Sequence, residues 1–109
     1  QIEQFRQMVN EQFRSHRSVD HYARQLGLTP GHLGRLCREA LGMSPLDVLN
    51  GRIVHEAQRE PVYSTLSVKQ VAAELGYEDE AYFGRFFKKH TGQRPTEFRK
   101  MAREQIAGG

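Results

Sequence analysis

The stretch "LGYEDEAYFGRFFKKHTGQRP", Leu75–Pro95, decides the fold, because the chain writes it twice. "LGLTPGHLGRLCREALGMSP", Leu26–Pro45, opens on the same Leu-Gly, carries the same central Gly-Arg and closes on the same Gly-x-x-Pro. Ala23 pairs with Ala72, Leu26 with Leu75 and Gly27 with Gly76 at an offset of 49 residues. Beyond the turn the offset becomes 50, and Gly34 pairs with Gly84, Arg35 with Arg85, Gly42 with Gly92 and Pro45 with Pro95. The second copy therefore holds one extra residue in its turn, "YEDEAY" against "LTPGH". Two copies are too few for a solenoid, which needs about three. A pseudo-symmetric pair of small helical modules fits the repeat.

Each copy reads as helix, turn, helix. In the second, Ser67 and Gln70 have the spacing of a capping box, and Val68, Val71, Ala72 and Leu75 follow at helical intervals. Gly76 is placed to stop that helix in the left-handed conformation. Asp79 caps the next one, with Glu80 in its first turn. Tyr82, Phe83, Phe86 and Phe87 form its apolar stripe, and Gly92 ends it. In the first copy Ser18 caps a helix that buries Val19, Tyr22, Ala23 and Leu26. Thr29 caps the following helix, with Pro30 at the first position, where a missing N–H does no harm. Leu33, Leu36, Cys37, Ala40 and Leu41 are its inward residues.

Three further helices surround the modules. The first carries Ile2, Phe5, Met8, Val9 and Phe13 on one side. The second starts at Ser44-Pro45, faces Leu46, Leu49, Ile53 and Ala57 inward, and is expected to end by Pro61, which breaks a helical ladder. From Leu46 to Glu60 it spans roughly 22 Å at about 1.5 Å per residue. The last starts at Pro95. The expected fold class is all-α, with about seven helices and two helix-turn-helix subdomains joined by a long connector. The divisions are a first subdomain at 1–44, the connector at 45–61 and a second subdomain at 62–109.

Composition narrows the function. The 109 residues carry 38% hydrophobic and 27% charged side chains, no Trp and a net charge of +3, a soluble and mildly basic chain for which nucleic acid is a plausible partner. No apolar run approaches the roughly 18 residues of a membrane span. One cysteine, Cys37, allows no internal disulfide and fits a reducing cytosol. The five histidines, His16, His21, His32, His55 and His90, form no HExxH and share no metal-ligand spacing with a carboxylate. There is no phosphate loop and no nucleophile with a matching base. The reading is therefore not an enzyme, with no cofactor and no metal, in a cytoplasmic setting. The chain opens on Gln1 rather than Met, as expected of a piece of a longer protein.

Removing the apolar stripes leaves two small-residue faces, each with an arginine. After Thr29 the outward positions are Gly31, Gly34, Arg35 and Arg38; after Asp79 they are Glu80, Ala81, Gly84, Arg85 and Lys88. Such a face lets a helix approach a large surface and place a guanidinium at its centre, and Arg can fork onto guanine O6 and N7. Gly34 and Gly84 each cost roughly 1 kcal/mol against Ala in a helix interior. Repetition of that cost points to close approach, with tight packing on a neighbouring helix as the alternative. Lys88, Lys89, Arg94, Arg99, Lys100 and Arg103 gather around the second copy as candidate phosphate contacts.

These residues resemble the DNA-binding domain of the AraC/XylS family of bacterial transcription regulators. The likeness covers roughly Val19 to Arg99 and is most specific in "VAAELGYEDEAYFGRFFKKHTGQRPTEFR". It implies sequence-specific double-stranded DNA binding by two recognition helices in adjacent major grooves, Pro30–Leu41 and Glu80–Thr91. The family's base-facing positions fall on Gly31, Gly34, Arg35, Glu80, Ala81, Gly84 and Arg85, the residues the outward faces already offer. Thr29, Arg38, Lys88, Lys89 and Arg94 are expected on phosphate. Members also contact RNA polymerase, a second partner the resemblance implies. No membrane is involved, and the effector and dimerisation domain many members carry is not expected in these residues. The sequence departs from the pattern in three places. Gly31 and Gly34 stand where members often present larger side chains, Arg94 where a Ser or Thr usually caps the last helix, and Pro61 where the connector often continues.

Overall fold

A computed structural model describes residues 1–108. Among them the elements are α1 (Ile2–Gln12), a 3-10 turn (Phe13–Ser15), α2 (Val19–Gln25), α3 (Pro30–Leu41), α4 (Pro45–Tyr63), α5 (Val68–Glu74), α6 (Glu80–Thr91) and α7 (Pro95–Gly108). The fold is all-α with seven helices and no strand among the described residues. The backbone divides into two compact units, Gln1–Ile53 and Val54–Gly109, and the division falls inside α4.

In the first unit Phe5, Val9 and Phe13 of α1 and its 3-10 turn are buried with Tyr22, Ala23, Leu33 and Cys37. Phe5 and Tyr22 meet edge to face with ring centres 5.7 Å apart, a favoured geometry for aromatic pairs. Two guanidinium groups approach the Phe13 ring, Arg14 at 4.5 Å and Arg52 at 4.2 Å from its centre. In the second unit Val71, Ala72, Leu75, Phe83 and Phe87 form the core. Phe87 packs edge to face on Phe98, 5.4 Å between centres.

The repeat is reproduced bond for bond in the backbone. Leu28 N donates to Ala23 O at 2.8 Å, and Tyr77 N donates to Ala72 O at 2.9 Å. These are the long bonds of Schellman caps. Gly27 (φ +70°) and Gly76 (φ +87°) supply the left-handed residue that each cap requires. After the turn, Thr29 Oγ1 accepts from His32 N at 3.1 Å and Asp79 Oδ1 accepts from Ala81 N at 2.8 Å. Ser67 and Gln70 form the reciprocal capping box, at 2.8 and 3.1 Å.

Four expectations about burial and helix length fail. Helix α4 does not end before Pro61 but runs through it to Tyr63. Pro61 lies in the last turn, and its missing N–H forfeits the ladder bond to the Ala57 carbonyl without ending the helix. Its ring is fully buried, and Arg99 takes its carbonyl oxygen at 3.1 Å. Leu46, placed inward by periodicity, is 56% exposed, and Tyr82 is 58% exposed. Ala40 is also exposed. Each stands at an edge of its helix's apolar stripe, one position from the fully buried line.

Candidate nucleic-acid interface

On α3, Gly31, Gly34, Arg35 and Arg38 recur at intervals of three and four and so share one face. The opposite face buries Leu33 and Cys37 completely, and burial pushes the Cys37 thiol up, as for an inert core cysteine. Gly31, Arg35 and Arg38 are exposed. Gly34 is buried, contrary to the open position expected for it. What covers it is the Arg38 guanidinium, with Nη1 3.0 Å from where a Cβ on Gly34 would stand. No atom of a neighbouring helix lies within 4 Å of that point, nor of the corresponding point on Gly84. Helix–helix packing therefore does not account for either glycine.

On α6, Glu80, Ala81, Arg85, Lys88 and Lys89 are exposed and Gly84 is half-buried. Arg85 holds its guanidinium carbon 5.8 Å from the centre of the Tyr82 ring. Tyr82 in turn lies against Tyr77, 5.9 Å between centres. Tyr82 thus belongs to the polar face of α6 that sequence periodicity assigned to the core. A signal was present: its counterpart in the first copy, 50 residues earlier, is the polar His32.

Both faces are framed by the same caps. A side-chain cap opens each helix, and a left-handed glycine closes it, Gly42 N donating to Arg38 O at 3.0 Å and Gly92 N to Lys88 O at 2.8 Å. The closing bonds fall on the paired cations Arg38 and Lys88. Among the described residues no carboxylate forms an ion pair with Arg35, Arg38, Arg85 or Lys88. No group of three His, Cys, Asp or Glu side chains among them converges to hold a metal.

Two of the expected phosphate cations are engaged elsewhere. Arg99 donates to the carbonyls of Pro61 and Leu66, and Arg103 to that of Ser64 at 2.6 Å. Burial and the neighbouring Arg103 lower the Arg99 pKa. These two arginines close the end of α4 and the turn after it. Thr29, Lys88, Lys89, Lys100 and Arg94 remain exposed. The cap that Arg94 lacks is supplied in reverse, Arg94 N donating to Glu97 Oε1 at 3.3 Å.

Residues 22–101 match a family described as a helix-turn-helix domain, of the AraC type. The chain belongs to the AraC family. This AraC-type domain is 33% identical over 85 residues to the arabinose operon regulatory protein of Salmonella typhimurium, covering 78% of this chain and 30% of that protein. To the Escherichia coli arabinose regulator it is 32% identical over 84 residues, 77% of this chain and 29% of that one. The chain thus spans about 30% of the length of these relatives.

Among solved structures, the C-terminal domain of AraT, a response regulator from Geobacillus stearothermophilus, superposes with a TM-score of 0.84. It is 26% identical and the match covers 92% of this chain and 84% of that one. The DNA-binding domain of AdpA, solved with a target DNA, gives a TM-score of 0.77 at 24% identity, covering 95% and 97%. The AraC-type domain is a helix-turn-helix unit of DNA-binding transcription regulators, and no helix among its described residues is long and apolar enough to cross a membrane.

Proposed function

We propose that this chain reads an asymmetric duplex site with two recognition helices, α3 and α6, laid into successive major grooves about 34 Å apart. The observation that carries the reading is the bond-for-bond repetition of the turn's backbone, which leaves Arg35 and Arg85 exposed at equivalent positions. Tandem modules of one chain read a directional site, whereas a two-fold dimer reads a palindrome. Gly31 and Arg35 face bases from α3, and Glu80, Ala81, Gly84 and Arg85 face them from α6. Thr29, Lys88, Lys89 and Arg94 hold phosphate. The matched relatives are named operon regulators, which supports control of bacterial transcription from the cytoplasm, with RNA polymerase as a second partner.

Selection of bound sequences from a random duplex pool, followed by footprinting, tests this. Two preferred blocks about one helical turn apart are expected. Arg85→Ala relaxes preference in one block and costs roughly 1–3 kcal/mol there. Lys88→Ala weakens all sequences alike and lowers the salt slope by about one unit. A footprint confined to one block would overturn two-module binding.

A further inference from the structure

The two modules repeat in sequence but differ at one slot. On α6 a Cβ built on Gly84 meets nothing within 4 Å. On α3 the same construction on Gly34 meets the Arg38 guanidinium alone, Nη1 at 3.0 Å and Cζ at 3.9 Å. Helical side chains lean back over the preceding turn. Arg38, in the last turn of α3, thereby delivers its charge about one turn, roughly 5.4 Å, toward the amino-terminal half of the helix. That half is the part of a recognition helix that meets base edges. The residue paired with Arg38 is Lys88, a compact charge suited to phosphate rather than a planar fork.

We propose that Arg38 is a specificity-determining residue of the first module, its guanidinium standing in for the side chain that position 34 lacks and forking onto a guanine. Gly34 is the positioning residue that makes the seat. Sequence alone places Arg38 among the phosphate contacts and Gly34 against the bases, and the geometry exchanges those roles. Every side chain other than glycine at position 34 carries a Cβ into the space 3.0 Å from Nη1. The guanidinium, at the far end of an exposed side chain, must then give way by a few tenths of an ångström, at little expense to folding. The helix-propensity cost of a glycine in mid-helix is thus retained for a place to put a neighbour's charge. This inference rests on the DNA-binding reading above.

The test is sequence selection and equilibrium binding with this chain, its Arg38→Ala, Arg38→Lys and Gly34→Ala variants, the Gly34→Ala/Arg38→Ala double variant, and Arg85→Ala as a control on the other module. Arg38→Ala and Arg38→Lys are expected to erase preference for one guanine in the first block, about tenfold in affinity against the wrong base. Gly34→Ala weakens the same preference, by displacing the fork, while its melting temperature stays at or above that of the parent. Added to Arg38→Ala, it changes nothing further, because its effect runs through Arg38. If Arg38→Ala weakens every sequence alike and Arg38→Lys restores affinity, Arg38 is a phosphate contact and the inference falls. It falls equally if Gly34→Ala costs the same with and without Arg38, the behaviour of a close-approach glycine. Selective loss in Arg85→Ala alongside either outcome overturns this inference alone. A parent chain that selects no sequence overturns the DNA reading and this inference together.

Discussion

Nε of Arg99 donates to the carbonyl oxygen of Pro61 across 3.1 Å. The other arm of the same fork reaches the Leu66 carbonyl, and Arg103 takes Ser64 O. Helix ends leave carbonyls without ladder partners, and cations there are favourable. Arg99→Ala should therefore lower the stability of the second unit by about 2–3 kcal/mol, the usual cost of stranding charge-assisted hydrogen bonds. Arg99→Lys should recover only part of it, because one ammonium cannot span two carbonyls as a fork does. Urea unfolding of the three proteins decides the matter. Equal midpoints would show that these bonds contribute nothing net.

The Tyr22 hydroxyl is buried with no hydrogen-bond partner among the described residues, and burial raises its pKa. Removing an unsatisfied buried group relieves its desolvation penalty. Tyr22→Phe should therefore leave stability unchanged or raise it by up to about 1 kcal/mol, whereas most core substitutions lower it. Its edge-to-face contact with Phe5 is kept. A loss above about 1 kcal/mol in thermal unfolding would mean that the hydroxyl has a partner after all.

Tyr22 and Tyr77 together set an alkaline limit. Burial raises both, most strongly Tyr77. A phenol raised in the folded state contributes fully below the unfolded value near 10 and loses that contribution as pH climbs toward the folded value. Stability should be flat through neutral pH in this respect and fall above about pH 10. Tyrosinate absorbance followed beside helical circular dichroism checks it. Ionisation of all four tyrosines with full helix content retained would refute the burial argument.

What the sequence disclosed and what it hid divide by range. The repeat, the Ser67–Gln70 box, the Thr29 and Asp79 caps and the left-handed glycines are all decided within four or five residues, so local rules find them. Phe83, Phe87, Leu33 and Cys37 lie at the centre of wide apolar stripes, where periodicity is strongest. Leu46 and Tyr82 lie at stripe edges, where one position of rotation separates core from solvent. The Pro61 carbonyl finds its partner in Arg99, a residue 38 positions away and outside any local window. Arg99 and Arg103 were legible as cations, but their carbonyl partners were not, so charge alone sent them to phosphate. The Arg38 seat was hidden because the side chain occupies a space defined by an absent Cβ.

Gly84 separates folding from function. A methyl added there meets nothing within 4 Å, and its backbone is ordinary right-handed helix inside α6. Gly84→Ala should raise stability by about 0.5–1 kcal/mol through helix propensity and unfolded-state entropy. On the groove-binding reading it should also weaken specific duplex binding, by displacing the helix from the base edges. Thermal unfolding and titration of the selected duplex measure the two effects separately. A stabilised variant that binds as tightly as the parent would remove close approach as the reason for this glycine.

Arg94 poses the same choice at the start of α7. At the start of α4, Ser44 and Asp47 form a reciprocal box, Asp47 N donating to Ser44 Oγ at 3.1 Å and Ser44 N to Asp47 Oδ2 at 3.4 Å. At α7 only the reverse bond exists, from Arg94 N to Glu97 Oε1. Arg94→Ser restores the missing oxygen with Glu97 already in place. It should stabilise the second unit by about 0.5–1 kcal/mol, the ordinary value of an N-cap. The exposed guanidinium it removes is a proposed phosphate contact. Binding should then weaken alike for every duplex sequence, and the dependence of log K on log salt should fall by about one unit. Both quantities are read from one purified variant, by thermal melting and by titration at several salt concentrations. A variant that is more stable and binds with an unchanged salt slope would make Arg94 a solvated surface charge. A variant that is no more stable would show that the Glu97 bond alone already caps the helix.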